Sequence, residues 1–227
     1  MRVVTLVSRP SRSGKTTIAS HLAVEAGLRG GGPVALVDLD PQGTLTRWWN
    51  ERESETPLLA QTTLETLQPD LARLAAAGIA LAIIDTGADS IAIHDAVAVS
   101  DLVLIPARPG PQGLFAAAST VEMIGGAGKP IVFVLNGVTQ TTRISGESLA
   151  ALSQHGPLAP AIIHESADFA ATMANGRTVI EIPALSPGRR QIEALWKFVD
   201  ERTALAAAPA MPAPSLVDDS DDTAAAA

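Results

Sequence analysis

One stretch near the start of the chain constrains its fold more than any other. An apolar, β-branched run at residues 3–8 is followed by a polar loop and then by a helical pattern at residues 18–26. Such a succession predicts a buried strand, a loop and a helix. The loop closes with Gly14, Lys15 and Thr16, which at a helix start supply backbone N–H donors, an ammonium group and a hydroxyl. The stretch therefore predicts a phosphate-binding loop, with a lysine for the β- and γ-phosphates and a threonine for Mg²⁺.

The match to the general phosphate-loop pattern is incomplete. The pattern G-x-x-x-x-G-K-[ST] requires glycine where this chain has Arg9, so only the second half of the motif is present. Its position between a strand and a helix favours nucleotide binding, and an ordinary solvated loop is the alternative. We take residues 13–17, which are Ser13, Gly14, Lys15, Thr16 and Thr17, as the candidate nucleotide-binding stretch.

Acidic residues follow the next two predicted strands. Asp38 and Asp40 come directly after an apolar run at residues 34–37, where the carboxyl ends of parallel strands form a ligand-binding crevice. Plain turn chemistry around Pro41 is the alternative. Asp85 ends a second apolar run and is followed by Gly87, an arrangement typical of a Mg²⁺-directed carboxylate beside a loop that senses the γ-phosphate; a strand that ends in a simple turn is the alternative.

The rest of the chain alternates apolar runs with helical patterns. Runs at residues 102–106 and 130–135 predict further strands, and residues 161–163 fit a last one. This alternation predicts an α/β fold with a doubly wound, mainly parallel sheet and helices on both faces. Asn136 ends the fifth run, where it could bind an adenine edge or simply form a turn before Gly137.

A final helix is predicted from Ser186 as N-cap and Pro187 as first residue. One face of this helix is apolar. Its other sides carry four cations, which are Arg189, Arg190, Lys197 and Arg202. These cations form either a binding patch or a solvated face. From residue 205 the chain consists mainly of Ala, Pro and Asp, which predicts a disordered tail over residues 205–227. Residues 1–204 are then one domain.

Composition excludes several function classes. The chain of 227 residues has no Cys, which rules out disulfides, thiolate metal sites and iron–sulfur ligation and suits a reducing, cytoplasmic setting. The opening apolar run is too short for a signal peptide, and no run approaches a membrane span of about 20 residues. The net charge of −8 disfavours nucleic-acid binding except through a local basic patch.

Taken together, these motifs resemble the ParA-type partition and positioning ATPases of the ParA/MinD family. The similarity runs from residue 2 to about residue 203 and rests on residues 14–17, 38–43, 83–87, 100–106, Pro109, Pro111, Asn136 and 175–179. The resemblance implies a phosphate-loop ATPase of Rossmann-like architecture that uses ATP and Mg²⁺. It also implies slow hydrolysis stimulated by a partner, which would be a ParB-like or small adaptor protein.

The resemblance also assigns roles to individual residues. Lys15 would contact the phosphates and Thr17 the α-phosphate, Asp40 would position the attacking water, and Gly87 would sense the γ-phosphate. Thr16, Asp38 and Asp85 would hold the Mg²⁺ shell. The working unit would be an ATP-bound homodimer that binds DNA nonspecifically, and therefore the nucleoid, and releases it after hydrolysis. No N-terminal DNA-reading extension is expected.

The loop departs from the family pattern at one important position. Relatives carry Lys-Gly-Gly where this chain has Pro10, Ser11 and Arg12, and the missing lysine normally reaches the partner's nucleotide. A non-glycine residue in left-handed backbone costs roughly 1–2 kcal/mol. Arg12, or failing that Arg9, is the candidate to reach across the dimer in its place, and Arg12 is therefore counted among the catalytic residues.

Other interpretations use the same scaffold. A metabolic ligase would need a substrate pocket, for which residues 137–185 offer no evident cluster, and a degenerate nucleotide-binding module is supported only by the altered loop. Nitrogenase-type iron proteins are excluded by the absence of Cys, and tyrosine autokinases by the absence of Tyr. The division-site subgroup ends in a basic membrane helix, whereas residues 218–222 are acidic, so no membrane partner is expected.

Overall fold

The computed structural model describes residues 1–9, 12–139, 141, 146–183 and 186–207. The strands within this part are β1 Arg2–Leu6, β2 Val34–Leu39, β3 Leu58–Ala60, β4 Leu81–Thr86, β5 Leu102–Ala107, β6 Ile131–Val138 and β7 Ile163–His164. The α-helices are α1 Lys15–Leu28, α2 Thr44–Asn50, α3 Leu67–Ala76, α4 Ser90–Ala98, α5 Pro111–Ile124, α6 Gly146–Ser153, α7 Ala167–Met173 and α8 Pro187–Ala207. A short 3₁₀ helix, Gly125–Ala127, extends α5.

The strands form one sheet in the order β3-β2-β4-β1-β5-β6-β7. Every pair of neighbouring strands is parallel, and β1 lies between β4 and β5. The predicted fold class is therefore confirmed. Because all strands run the same way, the loops that follow them meet at one edge of the sheet. This edge holds the loops after β1, β2, β4, β5 and β6.

Alternating side chains of the strands fill two apolar layers. In β5, Leu102 and Leu104 pack in the layer beneath α1 and α8, whereas Val103 and Ile105 pack in the layer beneath α4 and α5. Both faces of each central strand are covered, because in an all-parallel sheet the connecting helices lie on both sides. Within this fold, α1 packs against α8 and against strands β2 and β4 of the sheet, which fixes its position.

β3, β7 and the last helix differ from the sequence prediction, with β7 at Ile163–His164 in place of residues 161–163. β3 is absent from the prediction, because a strand of three residues leaves almost no periodic signal. The last helix begins as predicted: the Arg189 N–H donates to Ser186 Oγ at 3.2 Å, and Pro187 is the first helical residue. It continues through Ala207, three residues into the predicted tail, because alanine and leucine favour helix. Residues 208–227 lie outside the described residues, so the disordered tail stays a prediction.

The two neighbouring tryptophans of α2 pack into the protein. Trp48 is 3% exposed within the α1 layer, and Trp49 packs against the same layer. The described part of the chain contains no helix with the length and apolar character needed to cross a membrane.

Candidate nucleotide-binding site

The loop after β1 delivers its polar residues to the start of α1. Gly14 precedes the helix with φ +93°, in the left-handed region, and a Cβ there would lie 2.1 Å from Asn136 Nδ2. Only glycine fits both the backbone and the contact. The Ser13 and Ser8 hydroxyls are 2.6 Å apart. The loop is thus folded tightly against the ends of β1 and β6.

Arg12 has φ +78°, the left-handed conformation that the altered loop was predicted to impose on a non-glycine residue. The Arg12 side chain is exposed. The neighbouring Pro10 and Ser11 lie outside the described residues, so their part in the loop stays a prediction. Arg9 is also exposed, and its guanidinium approaches Met123 Sδ on α5 at 4.0 Å.

Lys15 is the first residue of α1 and is only 6% exposed. Its ammonium donates to Ser8 Oγ at 3.0 Å and approaches the Ser8 carbonyl oxygen at 3.5 Å. Burial lowers the pKa of Lys15, although the nearby Asp85 and Asp40 carboxylates oppose this shift. The ammonium is therefore held inside the loop, where a phosphate would be surrounded by backbone N–H groups.

A buried carboxylate lies directly beneath the start of α1. The Thr16 hydroxyl donates to Asp85 Oδ2 at 2.6 Å, which joins the phosphate loop to the end of β4. Asp85 is fully buried, and among the described residues its second oxygen, Oδ1, has no hydrogen-bond partner. Burial raises the pKa of Asp85 to about 7, with the Thr16 hydrogen bond and the Lys15 charge acting in the opposite direction.

Asp38 and Asp85 occupy paired positions on the neighbouring strands β2 and β4. Asp38 Oδ1 accepts from the Asp40 N–H at 3.1 Å, and its Oδ2 accepts from the Thr46 N–H at 2.8 Å and the Thr46 hydroxyl at 2.7 Å. Asp38 therefore anchors the first turn of α2, a role that the sequence did not suggest. The predicted place of Asp38 in the Mg²⁺ shell stays a prediction.

Asp40 lies in the loop after β2, against the loop after β4. Its Oδ1 accepts from the Gln42 N–H at 3.0 Å. A Cβ on Gly87 would lie 3.1 Å from the same oxygen, so the two loops are in contact at this point. A side chain at residue 87 would require these neighbours to shift slightly. The structure thus brings Asp40 and Gly87 together, and their roles in water positioning and γ-phosphate sensing stay predictions.

The polar groups at this edge fit Mg²⁺ bound with a nucleotide. Mg²⁺ takes oxygen ligands, usually one or two carboxylates with waters and substrate phosphates. The Thr16 hydroxyl and the unpartnered Asp85 Oδ1 are such ligands. The described residues include no cluster of three or more His, Cys, Asp or Glu side chains arranged to hold a metal. A metal at this edge would therefore need the phosphates as further ligands.

A cleft of about 400 Å³ opens between the start of α1 and the loop that follows β7. Asn136 lies at its wall, and its Nδ2 donates to the Ser13 carbonyl oxygen at 2.6 Å. Within the described residues no side-chain hydrogen bond is seen at the Asn136 amide oxygen, which could accept from an adenine amino group. The lining residues are Gly14, Thr16, Thr17, Thr44, Arg108, Asn136, Gly137, Ile163, His164, Glu165, Ser166, Phe169, Ala170 and Met173.

Sequence reasoning missed much of this lining. Arg108 follows β5 but is not itself one of the residues that carry the family resemblance, and His164 and Phe169 belong to short elements. A second cavity of about 200 Å³ lies on the other side of the loop, and both Arg9 and Arg12 line it with Arg108. The two arginines proposed to replace the missing lysine therefore border the loop from outside the 400 Å³ cleft.

The segment at residues 175–179 holds two elements of the site in place. The Val179 N–H donates to His21 Nε2 on α1 at 3.1 Å, and the Trp48 indole on α2 donates to the Arg177 carbonyl oxygen at 3.1 Å. Arg52, whose side chain is 3% exposed, donates to the Gly176 carbonyl oxygen at 2.7 Å and pairs with Glu181 at 2.8 Å. The segment therefore ties the phosphate-loop helix to the end of α2.

The four cations predicted on α8 have different surroundings. Arg189 donates to Glu193 at 3.1 Å and to the Ile180 carbonyl oxygen at 3.1 Å. Arg202 lies over the Phe198 ring at 5.2 Å. Arg190 and Lys197 are exposed, and neither forms an ion pair within the described part of the chain. A nucleic-acid contact on α8 would rest mainly on these two residues.

Comparison with known proteins gives a family match over most of the chain. The family described as the CobQ/CobB/MinD/ParA nucleotide binding domain matches residues 4–179. This range includes every candidate nucleotide and Mg²⁺ ligand described above.

Two curated relatives match about half of the chain. The maintenance of carboxysome distribution protein A of Halothiobacillus neapolitanus is 34% identical over 122 residues, which are 51% of this chain and 55% of that protein. Protein ParA of Rhizobium radiobacter is 29% identical over 126 residues, 55% of this chain and 56% of that protein. The match thus spans little more than half the length of these relatives.

A solved structure extends the likeness to nearly the whole chain. The septum site-determining protein MinD from Pyrococcus horikoshii, complexed with Mg-ADP, has a TM-score of 0.70 at 19% identity, covering 91% of this chain and 98% of that one. At this identity the comparison supports the fold only. The chemistry is inferred from the residues of the site.

Proposed function

The chain belongs to the CobQ/CobB/MinD/ParA family of nucleotide-binding domains, and on that premise we propose that it is an ATPase of the partition and positioning type. It binds ATP with Mg²⁺ and hydrolyses it slowly unless a partner protein stimulates it. The observation that carries this proposal is the 2.6 Å hydrogen bond from Thr16 to Asp85, beside a buried carboxylate oxygen that has no partner among the described residues.

The residues of the site have separate tasks in this reaction. Lys15 binds phosphate oxygens from within the loop, together with the N–H groups at the start of α1. Thr16, Asp38 and Asp85 would hold Mg²⁺, and Asp38 also supports the first turn of α2. Mg²⁺ bound there would neutralise phosphate charge. Asp40 orients the attacking water next to Gly87, and no residue forms a covalent bond to the phosphate, since phosphoryl transfer depends on positioning and charge neutralisation.

The cycle that goes with this chemistry alternates between an ATP-bound homodimer and a released monomer. The dimer binds DNA nonspecifically or positions a protein cargo, and a ParB-like or small adaptor protein stimulates hydrolysis. Membership of the family supports this cycle, and the exposed Arg190 and Lys197 supply a contact for DNA phosphates. The acidic residues Glu193, Asp200 and Glu201 lie on the same helix, so DNA binding is expected to be weak and sensitive to salt.

Nucleotide binding is tested by titration calorimetry with ATP and Mg²⁺ on the full chain. Lys15→Ala is expected to abolish binding, because it removes the only ammonium buried in the loop among the described residues. Lys197→Ala, which removes an exposed lysine on α8, is the matched control and is expected to bind ATP as the wild type does. Equal affinity in the wild type and in Lys15→Ala would refute the assignment.

A further inference from the structure

Arg108 is the first residue after β5 and lies at the edge of the sheet where the site loops meet. It lines both the 400 Å³ cleft and the 200 Å³ cavity, so its side chain forms part of the wall between them. Its Nε donates to the Arg12 carbonyl oxygen at 3.5 Å. Arg108 therefore lies alongside the phosphate loop, in contact with the residue that precedes Ser13.

Two glycines make room for Arg108. A Cβ on Gly137 would lie 2.1 Å from the Arg108 Nη1 atom, and one on Gly113 would lie 2.2 Å from the Arg108 carbonyl oxygen. Gly137 also has φ +71°, which disfavours any other residue. The Arg108 guanidinium thus lies across the backbone of β6 immediately after Asn136, a position that a side chain at residue 137 would block.

The positive charge of Arg108 is not neutralised by a nearby carboxylate among the described residues. No carboxylate lies within ion-pair distance of Arg108 in the described part of the chain, and its one hydrogen bond, at 3.5 Å, is long. A guanidinium has five N–H donors and binds phosphate oxygens with shorter and stronger bonds than it makes to a neutral carbonyl. The contact with Arg12 is therefore easily exchanged for one with an anion.

We propose that Arg108 binds a phosphate group of the nucleotide held in its own subunit. This inference rests on the proposed ATP binding and adds a ligand that the loop motif does not contain. The phosphates are the expected target because Arg108 shares the cleft with Gly14, Thr16 and Thr17 at the start of α1. Arg108 thereby supplies a second cation in addition to Lys15, at a site where the altered loop has lost two glycines.

The experiment compares nucleotide affinities of Arg108→Gln and the wild type by titration calorimetry, with ATP, ADP and adenosine in the presence of Mg²⁺. Loss of a charge-assisted hydrogen bond weakens binding by about 10- to 100-fold. We expect losses of this size for ATP and ADP, no change for adenosine, and partial recovery in Arg108→Lys, which keeps the charge. Arg73→Gln removes an exposed arginine on α3 and serves as the control for net charge.

Salt dependence separates a phosphate contact from a merely structural role. If Arg108 binds phosphate, the ATP affinity of Arg108→Gln falls less steeply with added salt than that of the wild type. The variant lacks the ion pair between Arg108 and phosphate, which salt weakens by screening. An unchanged salt dependence, or an equal loss for adenosine and ATP, would overturn the inference. A wild type that binds ATP with the same affinity as Arg108→Gln would overturn it while leaving the proposed function intact. A wild type that binds no ATP would overturn both.

Discussion

Acidification should destabilise the fold through one buried histidine on the phosphate-loop helix. His21 is fully buried, its Nδ1 is 2.7 Å from the Thr17 carbonyl oxygen, and its Nε2 accepts from the Val179 N–H at 3.1 Å. The neutral ring with its proton on Nδ1 satisfies both contacts. A second proton on Nε2 would face the Val179 N–H and break the bond that joins α1 to the segment at residues 175–179.

The size of the effect follows from the pKa of His21. Burial lowers this pKa from 6.5 to about 4, although the Thr17 carbonyl and the Glu181 charge oppose the shift. The unfolded chain then binds a proton that the folded chain does not, so stability is complete above pH 6.5 and is lost as the pH falls toward 4. At about 1.4 kcal/mol per pKa unit, the loss is about 2 kcal/mol at pH 5 and about 3 kcal/mol at pH 4.

The assay is urea denaturation of the wild type and of His21→Gln at several pH values between 7.5 and 5. Glutamine keeps a donor and an acceptor but does not titrate, so the difference in the free energy of unfolding between the two proteins should shrink by about 2 kcal/mol across this range. His94→Gln changes an exposed histidine on α4 and should behave as the wild type does. A wild-type advantage over His21→Gln that stays constant from pH 7.5 to pH 5 would refute the reasoning.

Three further outcomes follow from the site. Asp40→Ala is expected to bind ATP normally but to hydrolyse it at least 100-fold more slowly in single-turnover experiments; reduced affinity with an unchanged rate would assign Asp40 to binding. In the Asp40→Ala background, Arg12→Ala should remove ATP-dependent dimerisation measured by light scattering, whereas Arg9→Ala should not; persistent dimers in both would show that neither arginine replaces the missing lysine. The double variant Arg190→Glu, Lys197→Glu should weaken ATP-dependent binding to unrelated DNA duplexes alike at low salt, and an unaltered gel shift would place the DNA contact elsewhere.

The sheet and the start of the site were predictable because long, strongly patterned segments carry them. Runs of apolar, β-branched residues that end in Asp38 or Asp85 indicate both a buried strand and the edge at which it ends. In the folded chain, the hydrogen bond between Thr16 and Asp85 forms at that edge. Residues that act at strand ends, in a parallel sheet, are brought together by the fold itself.

What the sequence could not show depends on contacts between distant segments. Arg108 is not a residue of the recognised motifs, and its position beside Gly137 and Arg12 appears only in the folded chain. Asp38 was predicted as a metal ligand, yet the hydrogen bonds it makes to Thr46 depend on how the next helix turns back. Arg189 similarly looked like a surface cation and is held by Glu193. Periodicity gives no information about such pairings.

The central place of β1 has a consequence for how the protein is made. β1 is synthesised long before its partners, since Arg2 pairs with Leu81 on β4 and Val4 pairs with Leu102 on β5. At ordinary translation rates of about 5–20 residues per second, the ribosome needs roughly 5–20 s to supply both partners. Until then the edges of β1 stay unpaired and prone to aggregate. We therefore expect nascent chains halted before residue 81 to depend on chaperones, and chains extended past residue 107 to depend on them much less.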